Sequence, residues 1–177
     1  MTRPPTFFLA GTVQGSQADQ GTVDQSYRTE LRRLVTAHFP NAVVHCPVSM
    51  LHARYAGKES LLAAEFSRLN TEQPLQRSEY PDAVASVVES FREFVELAGQ
   101  CDVLIAYLPG NEASMGTAME LWSAFERDRI IIVISKMTQH LAVLSAATLI
   151  VGSIEALGEV LSNRWLHHAL EQKGDQP

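Results

Sequence analysis

Cysteine is scarce. Cys46 and Cys101 are the only two in 177 residues, and they do not form a C-x-x-C pair. That spacing excludes a disulfide framework and a cysteine zinc site, and it suits a reducing compartment. Positive charge is also short: 14 Lys and Arg stand against 20 Asp and Glu, a net charge of −6. The basic face that a non-specific nucleic-acid binder needs is therefore missing. A small anionic ligand stays open, because a few backbone N–H groups and one or two cations suffice for it. No apolar run approaches the ~20 residues that span a bilayer. The opening "MTRPPTFFLAG" is too short in apolar length for a signal peptide. The expectation is a cytoplasmic, soluble chain with no membrane partner. The six histidines (His38, His45, His52, His140, His167, His168) show no metal-ligand spacing, and no metal or organic cofactor is expected. His45 and Cys46 read as a strand end, and His167-His168 as a solvated pair in a polar tail.

What is present fills one core. Apolar residues make up 46% of the chain and charged residues 19%, which fits a single domain over residues 1–177. "TFFLAG" (6–11) is a short apolar run ending in glycine and predicts a buried first strand. The polar, glycine-containing segment after it reads as a loop. From Asp24 the chain turns helical, with Leu31, Leu34, Val35 and His38 at helical spacing. Residues 42–48 predict a second strand broken by Pro47. Residues 49–81 form an excursion with one helix-like piece, "KESLLAAEFSRL". From Asp82 an apolar stripe of Val84, Val87, Val88, Phe91 and Val95 predicts a long helix with Gly99 just past its end. "CDVLIAYLPG", "IIIVIS" and "ATLIVGS" predict three more strands. The uninterrupted apolar runs are those of strands covered on both faces. Helices are expected near 116–127, 138–146 and 154–170, and the tail "EQKGDQP" is expected to fray. Strands alternating with helices predict an α/β domain. The expected architecture is a doubly wound, flavodoxin-like, five-stranded parallel sheet of order 2-1-3-4-5, with helices on both faces.

In such sheets ligands bind beyond the carboxyl ends of the strands, where the strand order reverses. Two strands here end in small-residue loops that would face each other there: Gly11-Thr12-Val13-Gln14-Gly15-Ser16, and Pro109-Gly110 leading to Ser114-Met115-Gly116-Thr117. The first matches neither a phosphate-binding P-loop nor a dinucleotide fingerprint. It reads either as an ordinary strand-to-helix turn or as an anion cradle of backbone N–H groups. Glu120 stands near the start of the following helix. Ala118, Leu121, Trp122 and Phe125 share one side of that helix and are expected in the core. Glu120 lies on the other side among Gly116, Thr117, Ser123 and Ala124. One reading is a carboxylate gaining ~0.3–1 kcal/mol from the helix dipole. The other is a reactive group in open space, which the collar of small residues and the crevice favour.

Three stretches in order, "FLAGTVQGSQADQ", "SMGTAMELW" and "VLSAATLI", resemble the nucleoside 2-deoxyribosyltransferase superfamily. Within it they are most similar to the nucleotide N-glycoside hydrolase branch, which includes 5-hydroxymethyl-dUMP N-hydrolase and CMP N-hydrolases. The resemblance covers about residues 6–17, 90–135 and 141–151, and leaves out the excursion. It implies that Glu120 is the nucleophile, forming a covalent glycosyl-Glu intermediate. It places Ser114 at the 5′-phosphate, where the transferase branch carries an aspartate, and so favours a nucleotide over a nucleoside. Gly11, Thr12 and Val13 would hold phosphate, with Gly116 beside them. Ser145 matches a serine that a neighbouring subunit lends to the phosphate, which implies a homodimer with shared active sites. With a one-residue shift, Glu93 falls at the family's second carboxylate, the donor to the departing base; its other reading is the solvated face of a helix. Asp102, at the start of a strand, reads as structural.

Two positions depart from the pattern. Gln14 stands where the hydrolases often have arginine, leaving Arg54, Lys58, Arg68 or Arg77 as replacements. Phe8 stands where some deoxynucleotide hydrolases have tyrosine, which leaves the ribose or deoxyribose preference open. The activity implied is hydrolysis of a (deoxy)ribonucleoside 5′-monophosphate to free base and sugar phosphate. The alternatives are base exchange on nucleosides and a non-catalytic nucleotide sensor.

Overall fold

In the computed structural model, the described residues are 3–13, 24–69, 74–110 and 114–174. The strands form where β-branched and apolar residues run without a polar break. β1 is Thr6–Gly11, β2 Val43–His45, β3 Val103–Leu108, β4 Ile130–Ser135 and β5 Leu149–Val151. All pair in parallel in the order β2-β1-β3-β4-β5, as expected from the sequence. Register is specific: Gly11 lies opposite Tyr107, and Leu108 opposite Ser135.

The helices are α1 (Tyr27–His38), α2 (Pro47–Tyr55), α3 (Glu59–Ser67), α4 (Asp82–Gln100), α5 (Met115–Glu126), α6 (Leu141–Ala146), α7 (Ile154–Ser162) and α8 (Trp165–Gly174). Each sheet face has its own apolar cluster. Phe7, Leu9, Val103 and Ile132 pack with Leu31 and Val35 of α1 and with Leu157 and Leu161 of α7. Phe8, Ala10, Leu104 and Val133 pack with Phe94 and Ala98 of α4, Leu121 and Ala124 of α5, and Val143 of α6. Alternate strand residues thus feed opposite faces, as the two-residue period of a strand requires.

Several expectations need correction. The second strand ends at His45, and Pro47 opens α2 rather than breaking a strand, because a proline at the first helical position sacrifices no hydrogen bond. The excursion is largely helical: α2, α3 and a 3-10 turn at Arg77–Glu79. Gly99 lies inside α4, not beyond it. The expected helix over 154–170 is two helices, since Arg164 adopts a positive φ of 57° between them. His167 is not solvated but stacks on Phe39, with ring centroids 4.2 Å apart. Asp102 is structural, as read. It accepts from Arg3 Nη1, Thr6 N and Thr6 Oγ1, each at 2.8 Å, and so ties the start of β3 to β1. Among the described residues no helix is long and apolar enough to cross a membrane.

Candidate functional site

β1 and β3 are the neighbours at which the strand order reverses, and their carboxyl ends frame the expected crevice. β1 ends at Gly11, whose φ of 155° is one that L side chains rarely adopt. Thr12 follows, almost fully buried. Its Oγ1 has no hydrogen-bond partner among the described residues, while its carbonyl accepts from Gln25 Nε2 at 3.1 Å. Val13 is half-buried, and Gln14 lies outside the described residues.

On the β3 side the chain enters α5 through Ser114. Ser114 caps the helix: its Oγ accepts from Thr117 N at 3.3 Å and from Thr117 Oγ1 at 3.0 Å. One cap thereby satisfies one of the free N–H groups at that helix end. Gly116 faces the ring of Phe91 on α4.

Glu120 follows in the next turn and is only 6% exposed. No hydrogen bond or ion pair to its carboxyl group occurs among the described residues. Burial pushes its pKa up to about 8, against the pull of the Arg28 charge. A carboxyl group so placed is disfavoured in its charged form and poised near neutrality. The small-residue collar does not open space around it. Thr117, Ser123 and Ala124 are themselves buried, and Gly99 of α4 packs against Ser123. Small side chains at Gly99 and Ser123 let α4 approach α5. Ala118, Trp122 and Phe125 are a further correction: all three are exposed, and of the expected core side only Leu121 is buried.

Arg28 escaped the sequence reading. It is 5% exposed. Its Nη1 donates to Leu9 O at 2.6 Å, Nη2 to Gly11 O at 3.1 Å and Nε to Gln25 Oε1 at 2.7 Å. Cys46, the residue before α2, sits 4.0 Å from Nη1. Burial would raise the Cys46 thiol, but hydrogen bonds with Ser49 and the Arg28 charge outweigh it and hold its pKa below the ordinary value. The hydroxyl of Tyr27 is buried without a hydrogen-bond partner among the described residues. Burial moves that phenol up to about 12; Arg28 opposes the shift and Glu120 adds to it. One clue to Arg28 was available in the sequence: a cation in the first turn of a helix opposes the dipole.

The remaining expected residues lie elsewhere. Phe8 has no accessible surface and packs in the core cluster with Phe94, so it offers nothing to a ligand. Glu93 is on the exposed side of α4, paired with Arg54 at 2.5 Å, and Arg54 also donates to Ser90 Oγ at 2.8 Å. Arg68 is likewise paired, with Glu65. Ser145 is exposed on α6 and donates to Ala142 O at 3.2 Å. Large apolar side chains are exposed on two helices: Met115, Met119, Trp122 and Phe125 on α5, and Leu141 and Leu144 on α6. Among the described residues, no three His, Cys, Asp or Glu side chains cluster as metal ligands would.

No protein-family model matches the chain, and neither does any curated protein sequence. Solved structures do match. One is a 2-deoxyribosyltransferase from Bacillus psychrosaccharolyticus, with a TM-score of 0.54 and 10% identity over 88% of this chain and 95% of that one. A 2-desoxiribosyltransferase from Leishmania mexicana gives a TM-score of 0.49 and 17% identity, over 90% of this chain and 98% of that one. A conserved protein from Enterococcus faecalis V583 gives 0.45 and 16%, over 90% and 98%. The likeness to the Bacillus psychrosaccharolyticus structure, at 10% identity, is one of fold.

Proposed function

We propose that the protein breaks the N-glycosidic bond of a nucleoside 5′-monophosphate, with Glu120 as the nucleophile. The observation that carries this reading is a buried, unpartnered carboxyl group beside the carboxyl ends of β1 and β3, one turn beyond a serine-capped helix start. A Glu oxygen bonds to C1′ as the C1′–N bond breaks, and the electron pair leaves with the base. The base takes its proton from water, since Glu93 is paired with Arg54. Water then attacks C1′ of the glycosyl ester, frees the sugar phosphate and returns the Glu120 carboxylate. Gly11, Thr12 and Val13 on one side, and Ser114 and Gly116 on the other, supply N–H and hydroxyl donors for the phosphate. Anchoring there holds C1′ in line, and such positioning contributes several kcal/mol.

A homodimer belongs to the same reading. The apolar face of α5 and α6 is the kind of surface that a partner covers. Ser145 on that face would reach the phosphate of the facing copy's site. A second reading, base exchange on free nucleosides, is favoured by the activity named for the Bacillus psychrosaccharolyticus structure. Incubation with a panel of ribo- and deoxyribonucleoside monophosphates and the matching nucleosides, with and without an added acceptor base, separates the two. Free base from monophosphates in water supports hydrolysis. Exchange that requires an acceptor supports transfer. Release of base by Glu120→Gln at the wild-type rate would remove Glu120 from either mechanism.

A further inference from the structure

β2 stops short of β1, and Arg28 takes up the place it leaves. β2 pairs with β1 only from Thr6 to Phe8, opposite Val43 to His45, while β1 runs on to Gly11. The carbonyl of Pro5 accepts from Val43 N. The edge of β1 that faces β2 therefore carries the carbonyls of every second residue, Leu9 and Gly11 among them. Past β2, Pro47 has no N–H to offer, and it turns the chain into α2. The guanidinium of Arg28 reaches in from α1 instead. Nη1 donates to Leu9 O at 2.6 Å and Nη2 to Gly11 O at 3.1 Å. Cys46 Sγ, 4.0 Å from Nη1, and the ring of Tyr27, 5.1 Å from Cζ, flank it. Arg28 Nε donates to Gln25 Oε1 at 2.7 Å, and Gln25 Nε2 donates to Thr12 O at 3.1 Å. The linked side chains of Arg28 and Gln25 thus hold the carbonyls of Leu9, Gly11 and Thr12.

Resting on the reading of the β1 turn as a phosphate site, we infer that Arg28 and Gln25 are positioning residues that set the direction of the turn's N–H groups. In a trans peptide the C=O and the N–H point opposite ways. With its carbonyl drawn to Arg28, the peptide between Gly11 and Thr12 turns the Thr12 N–H away from the guanidinium. With its carbonyl drawn to Gln25, the peptide between Thr12 and Val13 turns the Val13 N–H away from that amide. These N–H groups are among the donors that a phosphate on this turn would use. A guanidinium suits the task, because its planar fork offers several N–H groups in fixed geometry where an ammonium is one point charge. Hydrogen bonds from a charged donor are also stronger than neutral ones. A turn held in this way needs no reordering when an anion arrives, so less of the binding free energy goes into fixing the loop.

The test uses the whole chain and reads the N–H directions first. Residual dipolar couplings report the orientation of each backbone N–H bond, and they are compared in wild type, Arg28→Met and Gln25→Ala. Arg28→Met is expected to move the couplings of Thr12 and Val13 while those of β3 and β4 stay at wild-type values. Gln25→Ala, which breaks only the bond to Thr12 O, is expected to move Val13 more than Thr12. A residue that merely stabilises the fold lowers the melting temperature and leaves these couplings where they were. Unmoved couplings in both variants overturn the proposal. If Arg28→Met does not fold, Gln25→Ala decides, and an unmoved Val13 coupling there overturns it. The second reading is affinity for inorganic phosphate and for ribose 5-phosphate by calorimetry. Arg28→Met is expected to weaken both about tenfold, the scale of hydrogen bonds to a charged group. Wild-type affinity in a variant whose couplings have moved overturns the link to phosphate. The couplings need no ligand. A wild type that binds neither probe, with couplings that depend on Arg28, rejects the phosphate reading and leaves the hold on the turn standing.

Discussion

The hydroxyl of Tyr27 lies directly behind Gly11. A Cβ on that glycine would sit 2.4 Å from the phenol oxygen and 2.7 Å from the carbonyl oxygen of Tyr107. Both lie far inside contact distance, and the backbone φ of 155° disfavours a side chain as well. Gly11→Ala is therefore expected to lose about 1–3 kcal/mol and to displace the first loop, abolishing ligand binding. Adding Tyr27→Phe removes one clash and leaves the other, so the double variant recovers only part of the melting temperature. Full recovery would show that the Tyr107 carbonyl imposes no limit.

Substitution at Glu120 is expected to separate stability from activity. Its pKa is raised from 4.5 to about 8, so the folded state holds the proton more tightly than the unfolded state. The stability contributed by the neutral acid is complete below about pH 4.5 and is lost as pH rises through about 8. Glu120→Gln keeps the neutral form at every pH. The variant should melt with wild type at pH 4.5 and several degrees higher at pH 9, at ~2–4 °C per kcal/mol for a chain of this size. Base release should be lost throughout. Equal melting curves at pH 9 would mean that the carboxylate is well solvated.

The sheet was legible because its central strands are written without interruption: "VLIAYL" and "IIIVIS" leave no polar position that a one-sided strand would show. Glu120 was legible as an acid inside an apolar helix start. Its surroundings did not follow from the pattern because small residues mark both open space and close packing, and only the burial of Thr117, Ser123 and Ala124 decides between them. Trp122 and Phe125 were misplaced because periodicity reports an apolar face without saying what covers it. Arg28 was missed for the converse reason. One arginine in an amphipathic helix reads as solvated, and its burial depends on where β1 ends. Pro47 shows the same limit: its local meaning, strand break or helix start, depends on where the chain goes next.

The exposed face of α5 and α6 carries a prediction about assembly. Met115, Trp122 and Leu141 are 88, 54 and 81% exposed, large apolar side chains left uncovered on two helices. Wild type is expected to sediment as a dimer. Trp122→Glu or Leu141→Glu, on outward-facing positions, should give a folded monomer with an unchanged far-ultraviolet spectrum and impaired turnover of phosphorylated substrate. A monomeric wild type at micromolar concentration would remove both the dimer and the shared role of Ser145.

Ser114 allows its two jobs to be pulled apart. As helix cap its Oγ accepts from Thr117 N, a contact whose loss costs about 1 kcal/mol. As phosphate contact it must also be uncharged. Ser114→Ala should therefore lower stability by about that amount and weaken monophosphate binding modestly. Ser114→Asp is the sharper case, because aspartate caps a helix as well as serine does and favours its positive end. Thermal stability should hold at or above wild type. Affinity for the 5′-monophosphate should fall at least tenfold as two negative charges meet, while the matching nucleoside binds as before or better. Calorimetry with both ligands reads this directly. If Ser114→Asp weakens both equally, position 114 faces the sugar or base, and the preference for a phosphorylated substrate has to come from the β1 loop alone.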